Sequence, residues 1–383
     1  MSNIFFSITV FCISLSTFLS CTNAVKQGKD ENITVDTIKP EYAVNFSAVK
    51  NGELTILSIG EAWRGADEKF RYVLYPKGKS EPKGYEDAVL IAVPVERVIC
   101  TGTSHTAMLD FLGQTDKIVA IADGKYIYNE ALRKRIGSGN LPELGNDNGL
   151  NYEKALTVNP ELVFGFSFGR GSSHKKFKEL GLPVVMLSEF MEDTPLGRAE
   201  WVLFMSYFFN KEEQAKKDFD ALAKRYLDLQ EKVKNIPTDK KPTVLLGMAQ
   251  EGSWFVAGGK SFIARFIRDA GGRYLWADNE ERGGLPVDFE SVLFKAQKAD
   301  YWLNVVLAET KEQLKKADAR YSSFSAFQKG NIFSYTARVS ENGGYDIFES
   351  ANVKPDLVLA DLIKIFYPEL LPEHVLYFYK KIE

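Results

Sequence analysis

From Val95 onward, short apolar segments alternate with helical patterns, and this alternation constrains the fold more than any other feature of the sequence. Apolar, β-branched runs typical of buried strands occur at residues 97–100, 117–122, 162–166 and 183–187. Helical periodicity separates these runs and begins at residues 104–112. Strands that alternate with helices in this way form βαβ units around a mainly parallel sheet. The sequence therefore predicts an α/β lobe over residues 95–193.

A long helical pattern follows this lobe, over residues 194–236. Thr194 is a capping residue type, Pro195 suits the first helical position, and apolar residues recur at spacings of three, four and seven. Asn210-Lys211 is a point at which the helix could break, and Ile236-Pro237 ends it. At 1.5 Å per residue, roughly 40 helical residues would extend about 60 Å, longer than a small domain is wide. We therefore expect a rigid helical linker.

A second alternating series begins at Pro242 and repeats a local pattern of the first. Asn151 opens a short helix that leads into a buried strand, and Asp288 opens a second helix of the same kind. Both residue types favour helix N-termini. The repetition predicts two similar α/β lobes, residues 95–193 and 237–383, on either side of the linker.

The first 94 residues differ in composition from both lobes. An uncharged apolar run ends in Ser20-Cys21 and is too short to span a bilayer, which indicates a secretory signal peptide. A small residue before a cysteine is the cleavage pattern of bacterial lipoproteins, so residues 1–21 are predicted to be a lipoprotein signal with lipidated Cys21. A plain secretory signal is the alternative, because no Lys or Arg precedes the apolar run. Residues 22–94 comprise a polar tether and, from Tyr42, a small β extension.

Composition and residue counts exclude several classes of function. A net charge of −3 gives no basic face to neutralise phosphates, so we expect no nucleic acid partner. Cys100 would be the one thiol of the mature chain, and a disulfide within the chain is therefore not expected. His105, His174 and His374 are far apart and lack Cys partners at ligand spacing, so we predict no metal site and no cofactor.

Two motifs invite an enzymatic interpretation. Residues 165–169 read G-x-S-x-G between a strand and a helix, the context of a nucleophile elbow at Ser167, and His374 follows in the order Ser, acid, His. His374 lies in a sequence typical of a surface turn, however, and short glycine motifs are common by chance. Gly259-Lys260-Ser261 would complete a phosphate loop only if position 254 were glycine, and it is Trp254. The preferred interpretation is a protein that is not an enzyme, and a secreted α/β hydrolase stays the alternative.

Several segments, taken in order, resemble the iron-complex and cobalamin solute-binding proteins of ABC importers, the class III periplasmic binding proteins. These segments are residues 95–99, 150–153, 159–163, 180–185, 194–201, 258–261 and 269–272. The longer Bacteroidetes-type lipoproteins, which carry an extra N-terminal β region, are the most similar. The resemblance implies two Rossmann-like lobes joined by a single long helix, one ligand in the cleft between them, and a monomer anchored to the membrane in the periplasm.

The resemblance also implies the ligand class and the residues that bind it. The expected ligand is an iron–siderophore complex, haem or cobalamin. Strand-end loops supply the candidate ligand-binding residues: Ser104, His105 and Tyr126 in the first lobe, and Trp254, Arg282, Arg338 and Tyr345 in the second. Aromatic faces can stack on a ring ligand, and arginines can pair with carboxylates or an anionic ferric complex.

The implied partner is an ABC permease in the inner membrane, whose arginines bind an acidic residue on each lobe. Phe348-Glu349-Ser350 matches the docking segment of the second lobe, so Glu349 is expected to fill this role. The first lobe departs from the family pattern, and Glu192 or Glu189 is expected to substitute. A lipoprotein that passes its ligand to an outer-membrane receptor is the remaining alternative.

Overall fold

The computed structural model describes residues 35–146, 149–167, 173–250, 252–306 and 308–383. The predicted signal peptide, Cys21 and the tether up to Thr34 lie outside these residues. Residues from Val35 to Glu383 form one compact unit, and its described strands belong to four sheets. No helix within the described ranges is long and apolar enough to cross a membrane.

The N-terminal β extension is a five-stranded sheet that starts earlier than the predicted Tyr42. Its strands are neighbours in chain order: β1 (Val35–Ile38), β2 (Phe46–Asn51), β3 (Leu54–Ile59), β4 (Phe70–Pro76) and β5 (Val89–Val93). All pairs are antiparallel except β4 and β5, which are parallel. The fully buried Tyr72 accepts a hydrogen bond at its hydroxyl oxygen from the N–H of Met186, at 2.8 Å. The extension therefore packs directly against the first lobe.

The first lobe contains the predicted parallel sheet. Its strands are β6 (Val98–Cys100), β7 (Ile118–Ile121), β8 (Leu162–Gly165) and β9 (Val184–Met186), in the order β7-β6-β8-β9. The connecting helices are α1 (Thr103–Phe111), α2 (Glu130–Gly137), α3 (Tyr152–Thr157) and α4 (Ser173–Glu179). Nearly every strand residue is buried, as expected for a parallel sheet that is covered on both faces.

The linker is divided into two helices at the break that the sequence allowed. Helix α5 (Pro195–Ser206) is capped by Thr194, whose hydroxyl accepts from the N–H of Gly197. A short 3-10 turn follows, and Asn210 then adopts a left-handed conformation with φ 53°, which ends the first helix. Helix α6 (Glu212–Val233) continues for 22 residues. The linker therefore contains the long helix α6 and a shorter helix α5, separated at the break point that the sequence offered.

The second lobe repeats the strand order of the first. Its described strands are β10 (Thr243–Leu246), β11 (Ala249–Gln250), β12 (Ser253–Ala257), β13 (Arg273–Tyr274), β14 (Gly284–Val287), β15 (Tyr301–Leu303), β16 (Ile332–Ser334) and β17 (Lys380–Lys381). The main sheet has the order β13-β10-β15-β16, with β17 antiparallel at its edge. When the parallel strands of each lobe are numbered in chain order, both sheets have the spatial order 2-1-3-4.

The second lobe also contains a smaller sheet that is separate from this parallel sheet. Strand β12 pairs with β11 and β14 in a separate antiparallel sheet.

The helices of the lobe are α7 (Phe262–Asp269), α8 (Phe289–Ala296), α9 (Lys311–Ala317), α10 (Ser325–Lys329), α11 (Asp346–Ser350) and α12 (Pro355–Phe366). As predicted, the side chains of Asn151 and Asp288 cap α3 and α8 by accepting from the backbone N–H three residues later. The observed fold is the predicted α/β fold with two Rossmann-like lobes; the boundaries 95–193, 194–236 and 237–383 stay a prediction.

Candidate functional site

A cavity of about 450 Å³, which we call the main chamber, is lined by residues of both lobes. In the first lobe its walls come from the loops that follow β6 and β8, and in the second from the loop after β15. These positions are the carboxyl ends of parallel strands, where open α/β sheets bind ligands. The apolar wall consists of Phe166, Phe190, Phe262, Ile263, Phe266, Ile347, Phe348, Ala351 and Val358.

Few polar groups face the main chamber, and two of them form a pair at its first-lobe side. Ser104, near the start of α1, donates its hydroxyl hydrogen to Oε1 of Glu189 at 2.6 Å. Glu189 is only 4% exposed, and its second oxygen, Oε2, is buried without a hydrogen-bond partner among the described residues. A buried carboxylate oxygen without a partner costs free energy unless something donates to it. This oxygen is therefore available to a ligand donor.

Arg198 brings a positive charge to the same chamber. Its Nε and Nη2 donate to the backbone oxygens of Glu192 and Phe190, at 3.2 and 3.0 Å, and its guanidinium lies 3.8 Å from the ring centroid of Phe262. Burial lowers the pKa of Arg198 to about 10, while the nearby carboxylate of Glu189 opposes this effect. The guanidinium thus stays charged at neutral pH, and its Nη1 makes no hydrogen bond to a described residue.

The second lobe contributes an amide and a phenol to the main chamber. Asn304 directly follows β15 with φ 64°, a left-handed conformation that asparagine tolerates better than most residues. The hydroxyl of Tyr379 donates to Oδ1 of Asn304 at 3.1 Å, which leaves the amide N–H groups for other partners. Tyr335 also lines the chamber, and burial raises its pKa, so the phenol is neutral at physiological pH.

Two smaller cavities share walls with the main chamber. The tyrosine chamber, about 290 Å³, shares Gly102, Thr103, Phe166 and Phe348 with it and adds Tyr126 and Tyr345. The arginine chamber, about 390 Å³, shares Phe190, Arg198 and Phe262 and adds Trp63, Arg64, Lys260 and Arg282. The three cavities together form one cleft between the lobes. Ser104, Tyr126, Arg282 and Tyr345, all proposed from the sequence, line this cleft.

Trp254 and His105 do not line the cleft, contrary to the sequence-based expectation. Trp254 has no exposed surface, and its indole N–H donates to the oxygen of Leu246 at 2.8 Å inside the second lobe. His105 is also fully buried, and its Nδ1 accepts from the N–H of Gly102 at the start of α1, at 3.3 Å. Burial lowers the pKa of His105 and keeps the ring neutral. Both residues are structural.

Arg338 and Glu349 lie together at a second contact between the lobes. Arg338 donates to Asp346 at 2.6 Å, and its guanidinium lies 4.9 Å from the ring centroid of Tyr128 in the first lobe. Glu349, on α11, is 3% exposed and accepts from the backbone N–H groups of Tyr128 and Asn129 at 2.5 and 3.0 Å. Burial raises the pKa of Glu349 to about 7. Both side chains therefore take part in this contact between the lobes, and the ligand-binding role of Arg338 and the docking role of Glu349 stay predictions.

The second predicted docking acid is also buried. Glu192 accepts from the N–H groups of Val44 and Asn45 and from the indole N–H of Trp201, at 3.0 to 3.2 Å. Its side chain therefore attaches the β extension to the start of α5, and its role in permease docking stays a prediction. Glu189, the other candidate, is buried at the main chamber.

The geometry gives the hydrolase hypothesis no support. Ser167 is buried in the first lobe, whereas His374 lies in the second, where its Nε2 is 2.7 Å from Oδ1 of Asp361. Asp361 also accepts from the backbone N–H groups of residues 377–379. Its carboxylate therefore holds the C-terminal segment against α12. None of the described contacts of His374 reaches Ser167. Within the described ranges, no group of three or more His, Cys, Asp or Glu residues could hold a metal ion.

Sequence reasoning missed several residues of the cleft. Asn304 follows a strand of the parallel sheet, and the rule that ligands bind beyond strand ends would have found it. Arg198 belongs to the helix-start segment 194–201 but was not identified as a cleft residue. Trp63 and Arg64 come from the β extension, and nothing in the local sequence indicates that this segment reaches the cleft.

Comparisons with known proteins agree with this fold. The family model described as "Periplasmic binding protein" matches residues 98–339. An uncharacterized lipoprotein of Methanocaldococcus jannaschii is 25% identical over 366 residues, which cover 89% of this chain and 84% of that protein.

Two solved structures share the fold. A periplasmic heme-binding protein of Vibrio cholerae has a TM-score of 0.56 and 20% identity, and covers 71% of this chain and 99% of its own. The periplasmic vitamin B12-binding protein of Vibrio cholerae has a TM-score of 0.53 and 16% identity, with 73% and 99% covered. The family match spans more than half of the chain, and the chain therefore belongs to the periplasmic binding protein family, whose members are substrate-binding proteins of transporters.

Proposed function

We propose that the protein is the ligand-binding component of an ABC importer, and that it carries an iron–siderophore complex, haem or cobalamin to the membrane permease. The main chamber carries this proposal, because residues of both lobes enclose a mostly aromatic and aliphatic wall with few polar groups. Such a cavity suits a large ring-shaped or metal-chelate ligand that is apolar over most of its surface. The heme-binding and vitamin B12-binding names of the two similar structures support the same ligand classes.

Calorimetric titration of the full chain with cyanocobalamin, haemin and several ferric siderophores tests the proposal. One of these compounds is expected to bind saturably with a Kd of about 1 μM or lower. Ile263→Trp fills the main chamber and is expected to abolish this binding. Val375→Trp, at a position 84% exposed and away from the cleft, is the matched control. Absence of binding to every compound, or unchanged binding by Ile263→Trp, would show that the proposal is wrong.

Tryptophan fluorescence gives a second measurement with a defined reporter. Trp63 lines the arginine chamber, whereas Trp254 is enclosed in the core of the second lobe. We therefore expect ligand to change the emission of Trp63, and the change to be lost in Trp63→Phe and kept in Trp254→Phe. The reverse pattern would contradict the position of the cleft.

We also propose that a lipid on Cys21 anchors the protein to the membrane on the periplasmic side. The lipoprotein name of the Methanocaldococcus jannaschii relative supports this localisation. Cys21→Ser is expected to move the protein from the membrane fraction to the soluble fraction of cells. Retention in the membrane fraction would contradict the anchor.

A further inference from the structure

The N-terminal β extension contributes directly to the ligand cleft. Trp63 and Arg64 lie in the loop between β3 and β4, and both line the arginine chamber beside Arg198. The family match starts at residue 98, so these two residues lie outside the part of the chain that the family model describes. The extension is thus more than a support for the first lobe, because it places an aromatic ring and a cation against the cleft.

The loop that carries Trp63 and Arg64 is held in place by side chains on three sides. Asn45 accepts from the N–H of Glu61 at 2.8 Å and donates to its oxygen at 2.7 Å. The Trp63 ring packs against the rings of Phe70 and His174, with centroids 5.7 and 5.3 Å apart. A site on a pre-ordered loop loses little conformational entropy when a ligand binds.

Arg64 is an exposed cation without a described partner. It makes no hydrogen bond or ion pair with any residue in the described ranges, unlike the partly exposed Arg71 of β4, which pairs with Asp87 at 2.8 Å. Across the chamber, Arg198 also lacks a carboxylate within ion-pair distance among the described residues, as its hydrogen bonds go to backbone oxygens. Neither guanidinium therefore forms an ion pair with a carboxylate of the described residues, although the negative charges of Glu189, Glu192 and Asp193 act on Arg198.

The remaining charges of the arginine chamber are already paired. Arg282 binds Asp193 at 2.7 Å, and Lys260 forms an ion pair with Glu280. The carboxylate of Glu192 is occupied by backbone and indole N–H groups. The start of α7, at Ser261, also lines the chamber, and the free N–H groups of a helix N-terminus add to a positive potential. The lining of the arginine chamber thus carries four cationic side chains and two carboxylates, in contrast to the mostly apolar main chamber beside it.

We infer that the arginine chamber is a subsite for a carboxylate group of the ligand, and that Arg64 of the β extension is a specificity-determining residue of this subsite. This inference rests on the proposed function, because it places the body of the ligand in the main chamber. Guanidinium groups bind carboxylates with paired, charge-assisted hydrogen bonds. The preferred ligand then bears ionised carboxylates at one edge of an apolar body, as haemin does with its two propionates. Cyanocobalamin and ferric trishydroxamates have no such carboxylate.

The test compares four probes on the full chain: haemin, haemin dimethyl ester, cyanocobalamin and a ferric trishydroxamate. Haemin is expected to bind most tightly, and its dimethyl ester at least tenfold more weakly. Arg64→Gln is expected to weaken haemin binding about tenfold and to change the affinity for the dimethyl ester less than twofold. Arg71→Gln removes the same charge from the same sheet outside the cleft, and is expected to change neither affinity. Raising the salt concentration is expected to weaken haemin binding more in the wild type than in Arg64→Gln.

The outcomes separate this inference from the proposed function. If cyanocobalamin or the trishydroxamate binds the cleft and haemin does not, the inference is overturned while the proposed function stands. Equal affinities of wild type and Arg64→Gln for haemin lead to the same conclusion. If no probe binds, both fail. Since Arg64 is exposed and has no described partner, its substitution is not expected to disturb folding, and an unchanged circular dichroism spectrum checks this directly.

Discussion

Glu349→Gln tests whether the buried carboxylate at the contact between the lobes sets a pH dependence of stability. Burial raises the pKa of Glu349 from 4.5 to about 7, and the backbone N–H groups of Tyr128 and Asn129 only partly offset this, while the charge of Asp346 adds to it. A carboxyl whose pKa is higher in the folded protein binds protons more tightly there than in the unfolded chain. The contribution of this carboxyl to the unfolding free energy is therefore greatest below pH 4.5 and is lost as the pH rises through about 7.

The two pKa values define the size of the effect. A difference of about 2.5 pH units corresponds to about 3.4 kcal/mol of unfolding free energy over the whole window. Between pH 5.0 and pH 7.5, the contribution of Glu349 to the unfolding free energy falls by about 2.4 kcal/mol. Glutamine does not titrate, so this contribution should be absent from Glu349→Gln. Its single carbonyl oxygen can replace only one of the two carboxylate oxygens that accept from Tyr128 and Asn129, and that loss should be the same at every pH.

Urea unfolding of both proteins at pH 5.0, 6.0, 7.0 and 7.5, followed by circular dichroism, measures the effect. The free energy of unfolding of Glu349→Gln, relative to wild type, is expected to rise by about 2.4 kcal/mol across this range. Glu341→Gln is the control, since this exposed carboxyl lies on the same lobe outside the contact. Parallel pH profiles for wild type and Glu349→Gln would refute the reasoning.

Two further substitutions test contacts that the fold depends on. Glu200→Ala removes the acceptor for three backbone N–H groups at residues 41–43, at 2.7 to 2.8 Å, and should lower the unfolding free energy by about 3 kcal/mol in urea titrations. The exposed Glu213→Ala is its control, and a loss below about 0.5 kcal/mol would show that the extension is not held by this carboxylate. Gly258→Ala places a Cβ 2.1 Å from a backbone oxygen, so thermal unfolding should shift downward by an amount equivalent to about 2 kcal/mol. Gly283→Ala, with open space at the Cβ position, should leave the midpoint nearly unchanged, and equal shifts in the two variants would contradict the packing argument.

Local sequence patterns were sufficient to predict several strands and helices of both lobes. Asn151 and Asp288 each cap a helix, as predicted. In both, a side-chain oxygen accepts from the N–H three residues later, and such a cap is predictable because it involves only residues that are neighbours in the sequence. The strands β6, β7, β8 and β9 also lie within the predicted runs, since apolar composition and β-branching reflect burial on both faces of a sheet. The interruption at Asn210 was visible for the same reason, as asparagine readily adopts the left-handed conformation found there.

The sequence by itself thus determined the α/β class, the repeated lobes and a helical linker between them with a possible break at Asn210-Lys211. The sequence also proposed Tyr126, Arg282 and Tyr345, which line the cleft, but only the tertiary structure shows that Trp254 and His105 are buried away from it. Glu192 and Glu349 look like surface acids in the sequence, but backbone N–H groups from distant segments fold against them. Arg64 looks like a loop residue, but a sheet packed on the first lobe places it beside Arg198. The physical reason is that hydrogen-bond partners and burial of a charged side chain depend on contacts made by residues far apart in the chain, which no local pattern encodes.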